Sequence, residues 1–260
     1  MIEPDMGQII QDHFRKILNN DEKGIAADFG SGLVSILSIG NAARTMPRQP
    51  TIRFLQWMVE EIPFGDPSDA TVLVNRSTPD YGVLAVSSKS HAPFLVYTCI
   101  VKDGKIAYVT LYISEPKAQF SPILHSEMGK GKEAKKVFHK HVRAMFSMSA
   151  DVITKDYRED AVVITNMAKD ICDGKKEIHS FCASLMKSSW GIMKKIRLHG
   201  FPAIKWKTKA IPDGVLLLVC EAKALGMVMT ETYYVKGGKI QFESSIGNGE
   251  IMDMIPQMLQ

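Results

Sequence analysis

Cysteine is scarce in this chain, and so is every feature that would take it out of the ordinary globular class. Of 260 residues four are cysteines, Cys99, Cys172, Cys182 and Cys220. None forms a CxxC pair and none sits near a histidine at zinc spacing, which argues against a disulfide scaffold and a structural metal. Cys99 and Cys220 lie in apolar strand patterns, where a reduced, buried thiol is expected. Long apolar runs are missing too. The longest, Val215 to Cys220, suits a buried strand and falls far short of the roughly 20 residues that span a bilayer. Residues 1–20 carry Glu3, Asp5 and Asp12 and no apolar h-region, so no secretory signal is expected. Charge of one sign is not in excess: 32 Lys and Arg stand against 28 Asp and Glu, a net +4. The lysines of Lys130–Lys136 and Lys194–Lys209 are scattered, unlike the dense basic face with interleaved aromatics of a nucleic-acid binder. No phosphate-binding glycine loop is present, and Gly129-Lys130-Gly131-Lys132 reads as a solvated stretch. The expectation is a cytoplasmic protein that needs no cofactor, metal, membrane or nucleic acid.

What is present is an internal repeat. Residues 12–39, DHFRKILNNDEKGIAADFGSGLVSILSI, lie without a gap over residues 140–167, KHVRAMFSMSADVITKDYREDAVVITNM. His13 falls on His141, Arg15 on Arg143, Asp28 on Asp156, Phe29 on Tyr157 and Ile36 on Ile164. The repeat returns where each half ends: Lys102-Asp103-Gly104-Lys105-Ile106 falls on Lys236-Gly237-Gly238-Lys239-Ile240. Asp-Gly and Gly-Gly between apolar runs are two-residue hairpin turns, because both central residues need positive φ.

Apolar groups at helical spacing predict helices over 8–20 and 134–147. Short helices follow around Ile25 and Ile153, and a third helix in each half spans 50–62 and 175–186. Strands are expected at 33–37, 71–76, 82–88, 94–102 and 105–113. Their second-half counterparts are 161–164, 195–199, 203–209, 214–222, 227–236 and 239–245. The stretch 116–133, rich in Pro, Ser, Gly and Lys, reads as a linker between a domain over 1–115 and a domain over 134–260.

The second half resembles the SnoaL-like branch of the nuclear-transport-factor-2-like superfamily. The residues that carry the resemblance are Tyr157, Asp160-Ala161, Gly174-Lys175 with Ile178, and the terminal Gly238-Lys239-Ile240. The first half departs more, with Gly30-Ser31-Gly32 where the second has Arg158-Glu159-Asp160. The resemblance implies an α+β class: two tandem cone-shaped domains, each with N-terminal helices packed in a curved antiparallel sheet. It also implies pairing through the outer sheet faces, which a tandem chain can satisfy internally as a pseudo-dimer.

Steroid-isomerase members of that superfamily keep a carboxylate base at the end of the first strand and a protonated acid on the penultimate strand. The matching positions here are Thr165 and Thr230, and Leu37 and Val96 in the first half. None is an acid, so proton abstraction from carbon is not expected. A shift of one residue would bring in Glu231 instead. The family's tyrosine donor on the first helix falls at His141, a group that can donate, accept or titrate. His139 and His141, two apart on a helix, face different ways and make a poor metal pair. Met186, Met193, Met227, Met229, Trp190 and Trp206 offer an adaptable apolar lining, and each is equally a core residue.

The leading expectation is therefore a small hydrophobic ligand held in the second half by His141, Thr165, Trp206, Met227 and Thr230, without acid–base catalysis. An isomerase, dehydratase or cyclase using His141 is the alternative. A third reading is an interaction module whose pockets are filled by side chains. No pocket of consequence is expected in the first half, where apolar residues stand at the matching places.

Overall fold

A computed structural model describes residues 6–40, 42–61, 70–88, 94–114, 131–199, 204–222 and 227–248. The chain divides into two compact units, Met1–Glu127 and Met128–Gln260. The expected linker over 116–133 falls mostly outside the described residues.

In the first unit, α1 (Met6–Leu18) places Ile10, Phe14 and Ile17 at i, i+4 and i+7, and all three are buried. A short α2 (Glu22–Asp28) follows, its N-cap Asp21 accepting from the Gly24 amide at 2.9 Å. Then come β1 (Phe29–Ile39), β2 (Ala42–Pro47), α3 (Arg48–Glu61), β3 (Ala70–Ser77), β4 (Tyr81–Ser88), β5 (Phe94–Lys102) and β6 (Lys105–Ile113). The second unit repeats the plan with α4 (Lys132–Phe146), α5 (Ala150–Ile153), a 3-10 turn over Thr154–Asp156, β7 (Tyr157–Thr165), β8 (Cys172–Asp173) and α6 (Lys175–His199). It ends with β9 (Ile204–Ala210), β10 (Val215–Ala222), β11 (Met227–Lys236) and β12 (Lys239–Asn248). Each unit holds one six-stranded sheet, ordered β2-β1-β6-β5-β4-β3 and β8-β7-β12-β11-β10-β9. The α+β class and the helices-then-sheet plan are as expected.

Three details differ from the sequence expectation. Each sheet contains one parallel pair, β1 with β6 and β7 with β12, because the first strand slots in beside the last instead of beside its sequence neighbour. The strand expected over 195–199 is the last part of α6, where Lys194, Lys195, Arg197 and Leu198 are good helix formers that carry the preceding turns onward. The edge strands β2 and β8 had no clear signal: β8 spans two residues, and Arg44 and Pro47 break the apolar pattern of β2.

The last hairpin of each unit turns as its dipeptide requires, with φ of 52° and 67° at Asp103 and Gly104 and of 60° and 72° at Gly237 and Gly238. Just beyond each turn the register jumps. Val101 faces Ile106 but Ile100 faces Tyr108, and Val235 faces Ile240 but Tyr234 faces Phe242. Ala107 and Gln241 are thus bulges, which bend the sheet and reverse the alternation of every later residue in β6 and β12. Among the described residues no helix is long and apolar enough to cross a membrane, and all four cysteines are buried and outside any disulfide.

The core of each unit lies between the helices and one face of the sheet. Tyr97, Cys99 and Val109 share it with Ile10 and Phe14 in the first unit, and Tyr157, Val163, Leu218 and Tyr233 share it with Val137 and Phe138 in the second. The close approach of α1 to β4 depends on Gly82: a Cβ there would run into the Ile10 side chain and would stand 3.0 Å from Cys99 Sγ. Gly82→Ala should therefore destabilise the full chain by about 1–3 kcal/mol, the usual cost of overpacking. Urea denaturation followed by circular dichroism reads it; an unchanged midpoint would mean that α1 is not held against β4.

Candidate functional site

The repeated histidine is buried in both units, and its partners differ. His13 on α1 sets Nδ1 3.0 Å from Asp28 Oδ2 and Nε2 2.9 Å from the Tyr97 hydroxyl. Asp28 also receives Lys16 Nζ at 2.6 Å. Burial pulls His13 below its ordinary pKa, outweighing the hydrogen bond and charge of Asp28. A neutral ring with Nδ1–H on Asp28 leaves Nε2 to accept from Tyr97, so every polar atom of this trio has a use.

In the second unit His141, 2% exposed, sets Nδ1 3.4 Å from Asp156 Oδ2, and Lys140 Nζ stands 2.6 Å from Asp156 Oδ1. On the other side Nε2 lies 3.4 Å from the Tyr157 hydroxyl, which itself donates to Glu243. With Tyr157 donating to Glu243, a proton on Nε2 is what lets the ring meet the Tyr157 oxygen while Nδ1 faces Asp156. The electrostatics agree. Burial pulls His141 down, but the Asp156 hydrogen bond and the charges of Glu243, Glu231 and Asp156 override it and leave the ring above its ordinary pKa.

The two glutamates are the residues that the sequence expectation left out of the site: Glu231 entered it only as the outcome of a one-residue shift, and Glu243 not at all. Paired residues on neighbouring strands share a face, so the register of β11 and β12 fixes where each side chain lies. Tyr233 faces Glu243 and Glu231 faces Ser245, all on the face that packs on α4. Glu231 accepts from the Tyr233 hydroxyl, and the Ser245 hydroxyl lies 3.5 Å from it. Burial and the charge of Glu243 push the Glu231 carboxyl up to about 7, against the pull of Tyr233, His141 and Ser245. Burial raises Glu243 as well, although the His141 charge and Tyr157 oppose it. Glu231 was one residue from the position read as Thr230. Counting back from the buried Val235 beside the hairpin would have found it. Glu243 was hidden by the Gln241 bulge, which reverses the alternation that starts at Ile240.

The expected site residues are thus only partly brought together. Thr165 lies on the inner face beside Ser245, its hydroxyl accepting from the Met167 amide at 3.0 Å. Thr230 is buried on the opposite face, with Val219 and Ile246 as its neighbours, so it cannot join His141. The alternation that carries Glu231 inward carries Thr230 outward. Trp206 is on the inner face of the edge strand β9, paired with Cys220, which is paired in turn with Met229. It is 50% exposed, whereas Cys220 in the same row is buried. Met227 opens β11, and its side chain lies outside the described residues. His139 is exposed, on a different face of α4 from His141, and lines an open groove of about 810 Å³ with Lys136, Lys140 and Arg143. Among the described residues no three metal-ligating side chains converge.

The inner face of the second unit therefore changes character row by row. Ala210, Leu216, Tyr233, Glu243 and Val163 form the row beneath His141. Thr208, Leu218, Glu231, Ser245 and Thr165 form the next, and Trp206, Cys220, Met229 and Gly247 the outermost. The row matching Glu231 in the first unit is Leu84, Tyr97, Leu111, Leu37 and Arg44.

A raised carboxyl has a thermodynamic signature. Between about 4.5 and about 7 the folded state holds the Glu231 proton that the unfolded chain releases, so stability falls as pH rises through that window. Glu231→Gln removes the proton. The melting temperature of the variant, relative to the native chain, should rise by about 2–4 °C between pH 5 and pH 6.5, the effect of roughly one kcal/mol in a chain of this size. A difference that stays flat or falls would show that Glu231 is ionised throughout.

No family model matches the chain, and no curated protein matches it. Solved structures do. A steroid delta-isomerase from Pseudomonas aeruginosa is similar over 51% of this chain and 93% of its own, at 9% identity and a TM-score of 0.36. An NTF-2 like protein of unknown function from Burkholderia xenovorans LB400 is similar over 49% and 98%, at 14% identity and a TM-score of 0.31. An uncharacterised protein with a cystatin-like fold from Silicibacter pomeroyi DSS-3 is similar over 48% and 85%, at 11% identity and a TM-score of 0.34. This chain is a tandem of two α+β units, each with the helices and curved six-stranded sheet that the resemblance to nuclear-transport-factor-2-like proteins implies.

Proposed function

We propose that the second unit binds a small, largely apolar molecule through one hydrogen-bonding oxygen, with Glu231 as the group that meets it. The observation that carries this reading is the position of Glu231. It is a buried carboxyl on the inner face, one row from the row that ends in the half-exposed Trp206 and one row from the Tyr233–Glu243 pair. A ligand entering past Trp206 and Met229 finds apolar and sulfur surface first and then one convergent polar row, the pattern of a small-molecule site. Ser245 and Thr165 flank Glu231 there. His141 acts behind this row. Both its nitrogens are engaged, so its role is to hold Tyr157 and Glu243 and to set the charge of the interior.

One observation favours a second reading, acid–base chemistry of isomerase or lyase type. A carboxyl held near pH 7 in an apolar interior can take up and give back a proton under ordinary conditions. In that reading Glu231 moves the proton and the Tyr233 hydroxyl, its present donor, steadies whichever oxygen is charged.

Both readings are tested with the full chain. Titration with 2-naphthol should change a tryptophan emission that Trp206→Phe removes. Glu231→Ala should weaken binding by about 1.5–3 kcal/mol, the worth of a hydrogen bond to a charged group. A titration of Glu231→Ala that matches the native chain overturns the binding proposal. Conversion of 3-cyclohexenone to its conjugated isomer, followed by ultraviolet absorbance, separates the two readings. A rate above the buffer blank that Glu231→Gln abolishes establishes the chemistry; a rate equal to the blank removes it.

A further inference from the structure

The solvent side of α4 is basic. Lys136, His139, Lys140 and Arg143 stand at i, i+3, i+4 and i+7, so they are neighbours on one side of the helix, and all four are exposed. They line the open groove of about 810 Å³, together with Val137 and with Gly238 of the last hairpin. Like charges at this spacing oppose the helix that carries them. Asp156 meets Lys140, whose side chain is still 65% exposed. Glu133, the acid of the groove, accepts from the Gly238 amide at 2.8 Å. Among the described residues neither Lys136 nor Arg143 meets an acid. The corresponding face of the first unit is different. The same gapless offset puts Gln8, Gln11, Asp12 and Arg15 at these four places. There Arg15 donates to Asp12 at 2.8 Å and Gln11 donates to Asn75 at 3.0 Å. The first copy thus neutralises its cation within the face, and the second leaves Lys136 and Arg143 to be met from outside.

We infer that this groove is a docking surface for an extended, acidic segment of another protein. Charge complementarity fixes the sign of the partner. Spacing fixes its form. The basic positions run over about 10 Å of helix at a rise of 1.5 Å per residue, with about 5.4 Å from turn to turn. Alternate residues of an extended chain point to one side about 6–7 Å apart. Acids at that spacing therefore meet successive turns, one carboxylate by Lys136 and the next by Arg143, whose guanidinium can give it two N–H donors. A single phosphate group would reach one turn only. Nucleic-acid bases need aromatic platforms to stack on, and no Phe, Tyr or Trp lines the groove. The aliphatic stems of the lysines supply apolar contact between the charges. This surface is separate from the proposed Glu231 site, because α4 turns Phe138 and His141 toward the sheet and these four residues toward solvent.

The test uses the full chain and a fluorescein-labelled peptide that alternates glutamate with alanine, read by fluorescence anisotropy in low salt. Saturable binding is expected, with the same peptide carrying glutamine for glutamate weaker by about tenfold or more. Lys136→Glu combined with Arg143→Glu should weaken the acidic peptide by about tenfold or more. Lys23→Glu combined with Lys205→Glu changes the net charge by the same amount at exposed lysines elsewhere, and should leave binding as it is. Lys136→Gln combined with Arg143→Gln should fall between native and reversed chains, and it decides the matter if the reversed variant fails to fold by circular dichroism. Equal losses from the two charge-reversed pairs overturn the inference, since they would mean that the peptide senses net charge alone. So does a groove indifferent to glutamate against glutamine. A labelled oligothymidine bound more tightly than the peptide, and lost on the same reversal, would give the surface to nucleic acid. Tripolyphosphate displacing the peptide at stoichiometric concentration would give it to a phosphate compound. Self-association by light scattering that the reversal abolishes would give it to a second copy of the chain. Each of these three outcomes also overturns the inference.

Discussion

Each unit is organised around a histidine and an aspartate that meet inside it. The histidine sits on the helix that fills the sheet, and the aspartate sits where the chain enters its first strand. The two are fifteen residues apart in both copies. A buried imidazole without a partner would be expensive, and so would a buried carboxylate. Their contact therefore fixes the helix against the strand entrance, and with it the surface on which every inner side chain of the sheet must pack. The lysine that reaches each aspartate from outside completes the neutralisation. The His–Asp pair is the polar constant of the duplicated fold. The apolar contacts around it vary more, with Phe29 in one copy where Tyr157 stands in the other.

That constant serves two different interiors. In the first unit Tyr97 and Val109 stand where the second has Glu231 and Glu243, and burial holds the histidine below its ordinary pKa. In the second unit the charges of the two acids help lift the histidine above its ordinary pKa, and burial lifts both acids. The same imidazole is thus shifted down in one copy and up in the other, and the cause of the difference lies in strands remote in sequence from it. A pair of acids in an interior of this kind is costly to fold around, and the costly groups of a fold tend to be the ones function retains.

The architecture was legible in the sequence because its signals are local or repeated. The gapless match of residues 12–39 and 140–167, the Asp-Gly and Gly-Gly turns, and the helical spacing of Ile10, Phe14 and Ile17 each follow from short-range geometry. The interior was legible only in part. His13 and His141 stood out because both copies carry them, and their partners Asp28 and Asp156 were visible as a matched pair without a stated role. Glu231 was lost to a one-residue error in aligning a strand, and in a strand one residue is the difference between the two faces. Glu243 could not be reached by alternation at all, because a bulge two residues earlier reverses it. Trp206, expected in the lining, lies on the inner face, and Thr230 lies on the outer one for the same reason that hid Glu231.

The lysines show what duplication has preserved. Lys16 follows its histidine by almost one helical turn, whereas Lys140 immediately precedes its own, and both place an ammonium 2.6 Å from the matching carboxylate oxygen. In a gapless comparison of the copies, Lys16 stands against Ala144 and Lys140 against Asp12. What the two copies share is a field and not a column: the positive charge comes from different positions around the helix, and its point of application is the same. Divergence measured position by position overstates how far two such copies have drifted, because a substitution at one site and its repair at another count as two differences and leave the electrostatics where they were.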